Sequence, residues 1–323
     1  MPTSQSITSG QIRKIGAFAS DAVEKVVEEL GLDHDAAQHV VENGGAEIAA
    51  VVHGVTYRII KDLVIPDEFG HMKMPSKYGY PNGWKLKSVT DQAATLAKYF
   101  PGLDVSQVET QAARYLKDGK LVLPRGMDGL VVIPKHTAIA RIIKGNQQWP
   151  VYNQALAALM PVMMTARSNK FVDYTEGAFG PDRERLTPKT EAAYAELESI
   201  PGDVIVLAVQ TGIIHRGKSV RRARVVFQKK EFGLDSFAVG CIILTHPERL
   251  NHQDVLWIDC AGTERAPKSG AAFVDASYWY FSGGSLGFDS SSVGIPHPRY
   301  RCEQYLGDGW KMTLENFLTH IPA

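Results

Sequence analysis

Residues 204–219 read VIVLAVQTGIIHRGKS, and how this stretch folds decides the fold of the chain around it. Val204 to Val209 is a continuous apolar run, the composition of a strand covered on both faces. Gly212 and Gly217 punctuate the turn that follows, and a helix is expected from about Ser219 to Glu231. Its apolar stripe would be Val220, Ala223 and Phe227. Further on, Phe237 to Leu244 reads as a second strand, His246 to His252 as a short helical turn, and Val255 to Ile258 as another strand. This β-α-β-α-β order builds a parallel sheet. The expected class is α/β, or α+β: a helical amino-terminal region followed by an α/β domain with a mostly parallel sheet.

Upstream, an apolar helix over 151–166 is interrupted at Pro161, and another runs from about Pro188 to Ser199. Before them, Ser88 precedes a helix to about Phe100, and Gly102-Leu103-Asp104 turns the chain. A second helix from Val105 to Leu116 opens with Ser106-x-x-Glu109, a capping-box pattern. Lys120 to Leu123 and Gly129 to Ile133, around Pro124-Arg125-Gly126, complete the order of a winged helix-turn-helix. That second helix offers mainly Arg114 and Lys117 against Glu109, short of the basic face that DNA reading requires. At the amino terminus, Ile15, Ala19, Ala22, Val23, Val26 and Leu30 recur at spacings of three and four, on one helix face. A second helix is expected from Asp35 to Glu42, and Val55 to Ile60 has the content of a strand. Four regions result: 1–65, helical with a terminal strand; 66–84, a Pro/Gly/Tyr/Lys-rich linker; 85–149, helix-turn-helix plus hairpin; and 150–323, the α/β domain. The last of these ends in an aromatic strand from Phe273 to Phe281, a Gly/Ser-rich loop over 282–294, and a helix from Met312 to His320.

The chain has 323 residues, with 35 Lys plus Arg balancing 35 Asp plus Glu. This excludes a generally basic nucleic-acid coat and a generally acidic tail, so an electrostatic partner must meet a local patch. Cys241, Cys260 and Cys302 form no C-x-x-C pair, which argues against a disulfide framework or a four-cysteine zinc site. The start, MPTSQSITSG, lacks the basic and apolar regions of a signal peptide, and the apolar run Ala155 to Met164 covers about half a bilayer. A cytoplasmic protein without a membrane partner is expected.

Residues 212–219, GIIHRGKS, match the pattern G-x-x-x-x-G-K-[ST], directly after an expected strand and before an expected helix. In such a loop, backbone N–H groups cradle phosphate oxygens, Lys218 reaches the terminal phosphates and Ser219 ligates Mg²⁺. Asp259-Cys260-Ala261-Gly262 has the form D-x-x-G at the end of another apolar segment, the edge where open α/β sheets bind ligands. On these motifs, residues 212–262 resemble a phosphate-loop NTPase, most nearly a small GTPase. The resemblance implies nucleotide binding, Mg²⁺ held by Ser219 and Asp259, and Gly262 as sensor of the γ-phosphate. No N-K-x-D pattern follows Gly262; Asn169 to Asp173 upstream is one residue too long, and Ile213 and Ile214 are bulky for such a loop. The stretches GIIHRGKSVRRARVVF, FAVGCIILTHPERL and LWIDCAG also look like an uncharacterised bacterial protein family, a resemblance that implies no activity.

His215, Arg216, Lys218, Arg221, Arg222 and Arg224 crowd one short segment, with Lys229 and Lys230 behind them. Cations in a helix's first turn oppose its macrodipole by several tenths of a kcal/mol each, so a compensating anion is expected. Three readings follow. A phosphate-bearing ligand, nucleotide or nucleic acid, binds Gly212, His215, Arg216, Gly217, Lys218, Ser219, Arg221, Arg222 and Arg224. Alternatively, the chain is a Mg²⁺-dependent nucleoside-triphosphate hydrolase. In the third, it is a structural or interaction protein whose basic helix is paired internally, with Glu231, Asp235, Asp182 or Glu184 as partners. The oligomeric state is not set by these patterns.

Other groups carry less. Cys260 with His215, His246 or His252 could form a Cys–His nucleophile, but a cysteine at a strand end is more often a small buried residue. His246, His252 and Asp254 lack a preferred metal spacing. Tyr278-Trp279-Tyr280-Phe281 suits a core or interface better than a base-stacking platform. Glu176 and Glu184 have no spacing that implies acid–base work.

Overall fold

A computed structural model describes residues 8–63, 73–124, 127–227, 231–297 and 304–306. The chain divides into two units, Met1–Val64 and Ile65–Ala323. In the first, α1 spans Ser9–Leu30 and α2 spans His34–Leu63. Thr8 and Gln11 form a capping box at the start of α1, and Gly31, at φ 58°, ends it in the left-handed conformation that glycine tolerates. Asp33 accepts the Ala36 N–H at 2.8 Å to open α2. The strand expected at 55–60 is instead the end of α2. Val52, Val55, Thr56, Ile59, Ile60 and Leu63 recur every three or four residues, and that period outweighs their weak β preference.

The second unit begins with α3 (Val89–Tyr99) and α4 (Val108–Ala112), then β1 (Leu116–Lys117), β2 (Lys120–Leu121) and β3 (Gly129–Pro134). Helices α5 (His136–Ile142) and α6 (Val151–Ala166), strands β4 (Phe171–Asp173) and β5 (Glu184–Leu186), and α7 (Pro188–Leu197) follow. Next come β6 (Val204–Gln210), α8 (Val220–Val226), β7 (Glu231–Gly233) and α9 (Ser236–Thr245). Strands β8 (Ile258–Asp259), β9 (Thr263–Arg265), β10 (Asp275–Ser282), β11 (Ser285–Ser292) and β12 (Gln304–Leu306) complete it. One sheet has the order β3-β6-β12-β7 and another the order β4-β11-β10-β9-β5, with β8 also paired to β10.

The class is α+β with a helical amino-terminal region, but the expected parallel sheet is overturned. Among the described strands, β4 with β11 is the one parallel pair and every other pairing is antiparallel. The reason lies in 237–244. This run is helix α9, all ten of whose residues are buried. A helix apolar on every side has no 3.6-residue stripe and reads like a buried strand. Its start is fixed by Asp235, whose carboxylate accepts the Phe237 and Ala238 N–H groups at 2.8 and 2.9 Å. With α9 no longer a strand, the β-α-β-α-β series dissolves.

The winged helix-turn-helix is also overturned. The would-be recognition helix is only α4 followed by a 3-10 turn over Ala113–Tyr115. Strand β3 pairs along its length with β6, so 85–149 shares a sheet with residues from the region beyond 150. The small hairpin of β1 and β2 turns instead through Asp118 and Gly119, at φ 51° and 73°. The Gly/Ser-rich loop expected at 282–294 is largely strand β11, joined to β10 by Gly283-Gly284. Helix α8 stops at Val226 rather than Glu231, and β8 holds only the end of the strand expected at 255–258. The helix expected from Met312 to His320 lies outside the described residues, as do Arg125, Gly126, Lys229, Lys230, Cys302 and part of the 66–84 linker.

The core is built round α9, which α3, α6, β3 and β10 contact. Trp279, fully buried on β10, donates its indole N–H to the Ser236 carbonyl at 3.1 Å. Each large side chain buried in this core stabilises by roughly 1.5–3 kcal/mol. No described helix is long and apolar enough to cross a membrane.

Candidate functional site

Strand β6 carries the chain through the core and delivers Thr211 and Gly212 at its end. Asp128 accepts the Thr211 N–H at 2.7 Å, and Tyr80 donates to the same carboxylate at 2.8 Å. Gly212, at φ 100°, donates its N–H to Gln210 Oε1 at 2.7 Å and starts a 3-10 turn over Ile213–His215. Gly217, at φ 73°, turns the chain again into Ser219, the N-cap of α8. Val220, Ala223 and Phe227, the expected stripe, pack with Ala261, Ala276 and Val293 in a small separate core.

The outer side of the loop is covered by the chain. Residues 73 and 218 form an antiparallel bridge, and the Met74 N–H donates to the Gly217 carbonyl at 2.8 Å. A Cβ added to Gly217 would lie 2.1 Å from the Met74 carbonyl oxygen. The second and third N–H groups of α8 are also engaged: Arg221 N donates to the Val293 carbonyl at 2.8 Å and Arg222 N to Ser219 Oγ at 3.2 Å. The loop's own N–H groups are turned on the loop itself: Gly212 donates to Gln210, His215 to the Gly212 carbonyl at 2.9 Å, Arg216 to the Ile213 carbonyl at 3.4 Å and Lys218 to the His215 carbonyl at 3.1 Å.

The cations divide by depth. Lys218 and Arg222 are buried, and Lys218 Nζ lies 3.4 Å from the Ile214 carbonyl. His215 is buried edge-on to Phe227, ring centroids 5.5 Å apart. Arg224 donates to the carbonyls of Ala261, at 2.9 Å, and Thr263. Arg216 and Arg221 are exposed, the former reaching the Tyr78 carbonyl at 3.5 Å. Of the acids named as internal partners, Glu184 pairs instead with Arg265 at 2.6 Å, and Asp235 caps α9.

Ser219 and Asp259 do not fit a Mg²⁺ ligand pair. The Ser219 hydroxyl is engaged as the cap of α8. Asp259 is buried on β8, opposite Tyr278, and burial pushes its carboxyl well above the usual range against the pull of Arg224. Gly262 packs closely on neighbouring backbone: its N–H donates to the Leu234 carbonyl at 2.8 Å, and an added Cβ would collide with Gly233 and Leu234. Among the described residues no group of three or more His, Cys, Asp and Glu is placed to hold a metal ion.

No protein family, characterised protein or solved structure matches this chain.

The remaining candidates differ in depth. Burial pushes the Cys260 and Cys241 thiols well up, away from the reactive thiolate. His246 ends α9: its Nε2 accepts the Lys87 N–H at 2.8 Å, and burial lowers its pKa. His252 is exposed beside Asp254 at 3.5 Å. Trp279 is core, while Tyr278 and Tyr280 group with Trp257 and His297.

Two polar clusters had no spacing signal. Glu184 accepts from Tyr152, Ser236, Ser277 and Arg265 at 2.8, 2.6, 2.9 and 2.6 Å, all buried. His136 Nε2 lies 3.5 Å from Asp235 Oδ2, with Tyr194 against the imidazole, ring centroids 4.5 Å apart. Burial works to raise the Asp235 carboxyl, but His136, Tyr194 and the Ala238 N–H hold it below the usual range.

The raised Asp259 pKa fixes the sign of a pH effect. The folded chain holds this proton more tightly than the unfolded one, so the residue's contribution to stability falls as pH rises from about 3.9, its unfolded value, through the higher folded one. Urea unfolding of wild type and Asp259→Asn is expected to show the difference moving in favour of the variant with rising pH. A difference constant with pH would contradict this.

Proposed function

We propose that this is a structural or interaction protein in which residues 212–224 form a joint of the fold. The observation that carries this reading is that the loop N–H groups a phosphate would need are spent within the loop, while the Met74 N–H packs on the Gly217 carbonyl. Arg224 supports it by binding the 261–263 turn, and Lys218 and Arg222 by their burial. We extend the reading to the cytoplasm, where thiols such as the buried, free Cys241 and Cys260 stay reduced. The test is equilibrium binding of fluorescent ATP and GTP analogues, with and without Mg²⁺, to wild type and Lys218→Ala. No Mg²⁺-dependent binding is expected from either protein. Saturable Mg²⁺-dependent binding that disappears in the variant would overturn the reading and favour the NTP hydrolase.

The exposure of Arg216 and Arg221 favours a second reading, in which a phosphate-bearing ligand, nucleotide or nucleic acid, lies on the outer side of α8. For nucleic acid, this version has affinity falling steeply with salt, the log–log slope flattening by about 1 for each arginine replaced by alanine.

A further inference from the structure

We propose that the partner on the outer side of α8 is a nucleic-acid backbone, which runs from Arg221 and Arg216 onto Lys77; the inference rests on the second reading above, a phosphate-bearing ligand at that place. Residues 73–78 are laid along the 216–218 turn. Lys73 bridges Lys218, Met74 N donates to the Gly217 carbonyl, and Arg216 Nη1 reaches the Tyr78 carbonyl at 3.5 Å. Burial alternates along this segment: Met74, Ser76 and Tyr78 are half-buried, whereas Lys73, Pro75 and Lys77 are exposed. That is the period of extended chain, so Lys73 and Lys77 share the face turned to solvent. A Cβ added to Gly217 would lie 3.5 Å from the Ser76 Cβ, which sets Lys77, the next residue, close to Arg216 and Gly217. On α8, Val220, Ala223 and Phe227 face the small core. At about 100° per residue, the exposed Arg221 and Val225 fall on its other side.

Charge names the partner. Among the described residues no acid lies within ion-pair reach of Lys77, Arg216 or Arg221. Asp128, the acid that this segment meets through Tyr80, is taken up by Tyr80 and by the N–H and hydroxyl of Thr211. Asp254, beside His252, bounds the cationic run at its far end, where Gly79 bridges Val255. Such a surface attracts an anion, and its layout asks for a chain of them. Four N–H groups of the loop are spent within it, so the loop offers no cradle for one phosphate. The cations instead stand apart, two on the loop and α8 and one on a separate segment. Phosphates spaced along a strand meet all three, and a single phosphate does not. The guanidinium forks of Arg216 and Arg221 match phosphate oxygens in pairs, and Lys77 adds a point charge. Contacts of this kind hold the backbone and carry no base sequence.

The test is fluorescence anisotropy of the full chain with a fluorescein-labelled oligothymidylate of about 12 nucleotides, titrated at several salt concentrations. Wild type is expected to bind with a log–log salt slope of about −2, from one phosphate at each of the three cations. Raising salt fourfold then weakens binding about 20-fold. Lys77→Ala, Arg216→Ala and Arg221→Ala are each expected to flatten the slope by about 0.7, leaving about a 7-fold loss over the same range, with melting unchanged. Lys98→Ala, an exposed change on α3, keeps the wild-type slope. A labelled dinucleotide is expected to bind ~10-fold more weakly or worse, because it spans fewer contacts. Equal binding of the dinucleotide and the longer strand overturns the proposal. So does a Lys77→Ala protein that matches wild type while both arginine variants weaken; in both cases the second reading survives. Binding to phosphatidylglycerol vesicles, or to nucleotide analogues, without binding to the oligonucleotide also overturns it. If oligonucleotide and nucleotide analogues both fail to bind, the second reading falls with it.

Discussion

Replacing Arg265 by methionine is expected to destabilise the unit spanning 65–323 by about 3–5 kcal/mol, as breaking a buried ion pair does. Glu184 is fully buried and Arg265 very nearly so, with 2.6 Å between them. The substitution leaves the carboxylate among the hydroxyls of Tyr152, Ser236 and Ser277 with no cation beside it. It also strips the Ala178 carbonyl of the Arg265 N–H that reaches it at 3.0 Å. Glu184→Gln is expected to cost a comparable amount by stranding the guanidinium. The double variant should lose clearly less than the sum of the two, because each single change leaves a charge that the other removes. Urea unfolding of the four proteins measures all three quantities. A single-variant loss under about 1 kcal/mol would place the pair among solvent-screened contacts and contradict the account.

The second large effect is expected at Gly262, where alanine should cost more than about 3 kcal/mol, beyond the usual range of overpacking. Its Cβ would stand 2.2 Å from the Gly233 carbonyl oxygen and 2.7 Å from the Leu234 carbonyl carbon. These are backbone atoms, so no side chain can rotate aside. Moving them displaces Asp235, the cap on which α9 depends. Gly283 is the control. It has nothing within 4 Å but φ +58°, so alanine there should cost about 1–2 kcal/mol, the penalty of a left-handed backbone alone. Thermal or urea unfolding of both variants decides; equal losses would mean that backbone contact at Gly262 is not the cause.

Elements whose pattern is local were legible in the sequence. Val204 to Val209 read as a buried strand, 151–166 as an apolar helix, and Pro188 as the start of another, which the structure caps with Thr187. The failures share one cause. Phe237 to Leu244 is surrounded by protein, so its helical period left no trace in the apolar pattern. Strand β11 takes its place from β10, although its serines and glycine have the composition of a loop. The GIIHRGKS loop was legible as letters. Its covering was not, because Met74 lies far upstream and no spacing rule joins it to Gly217. The Glu184 cluster is likewise assembled from α6, α9, β9 and β10, each contributing a residue unremarkable in its own segment.

The place of β12 bears on the order in which the fold can be completed. Residues 304–306 fill an interior position of their sheet, between β6 and β7. During synthesis β3 and β6 can pair once residue 210 has left the ribosome, whereas β6 and β7 have no partner between them until residue 306 arrives. Throughout that interval the nascent chain presents two open strand edges, the kind of surface that recruits strands from other molecules. The three residues that zip this sheet are thus a timing element: the growing polypeptide stays vulnerable to misassembly until they emerge.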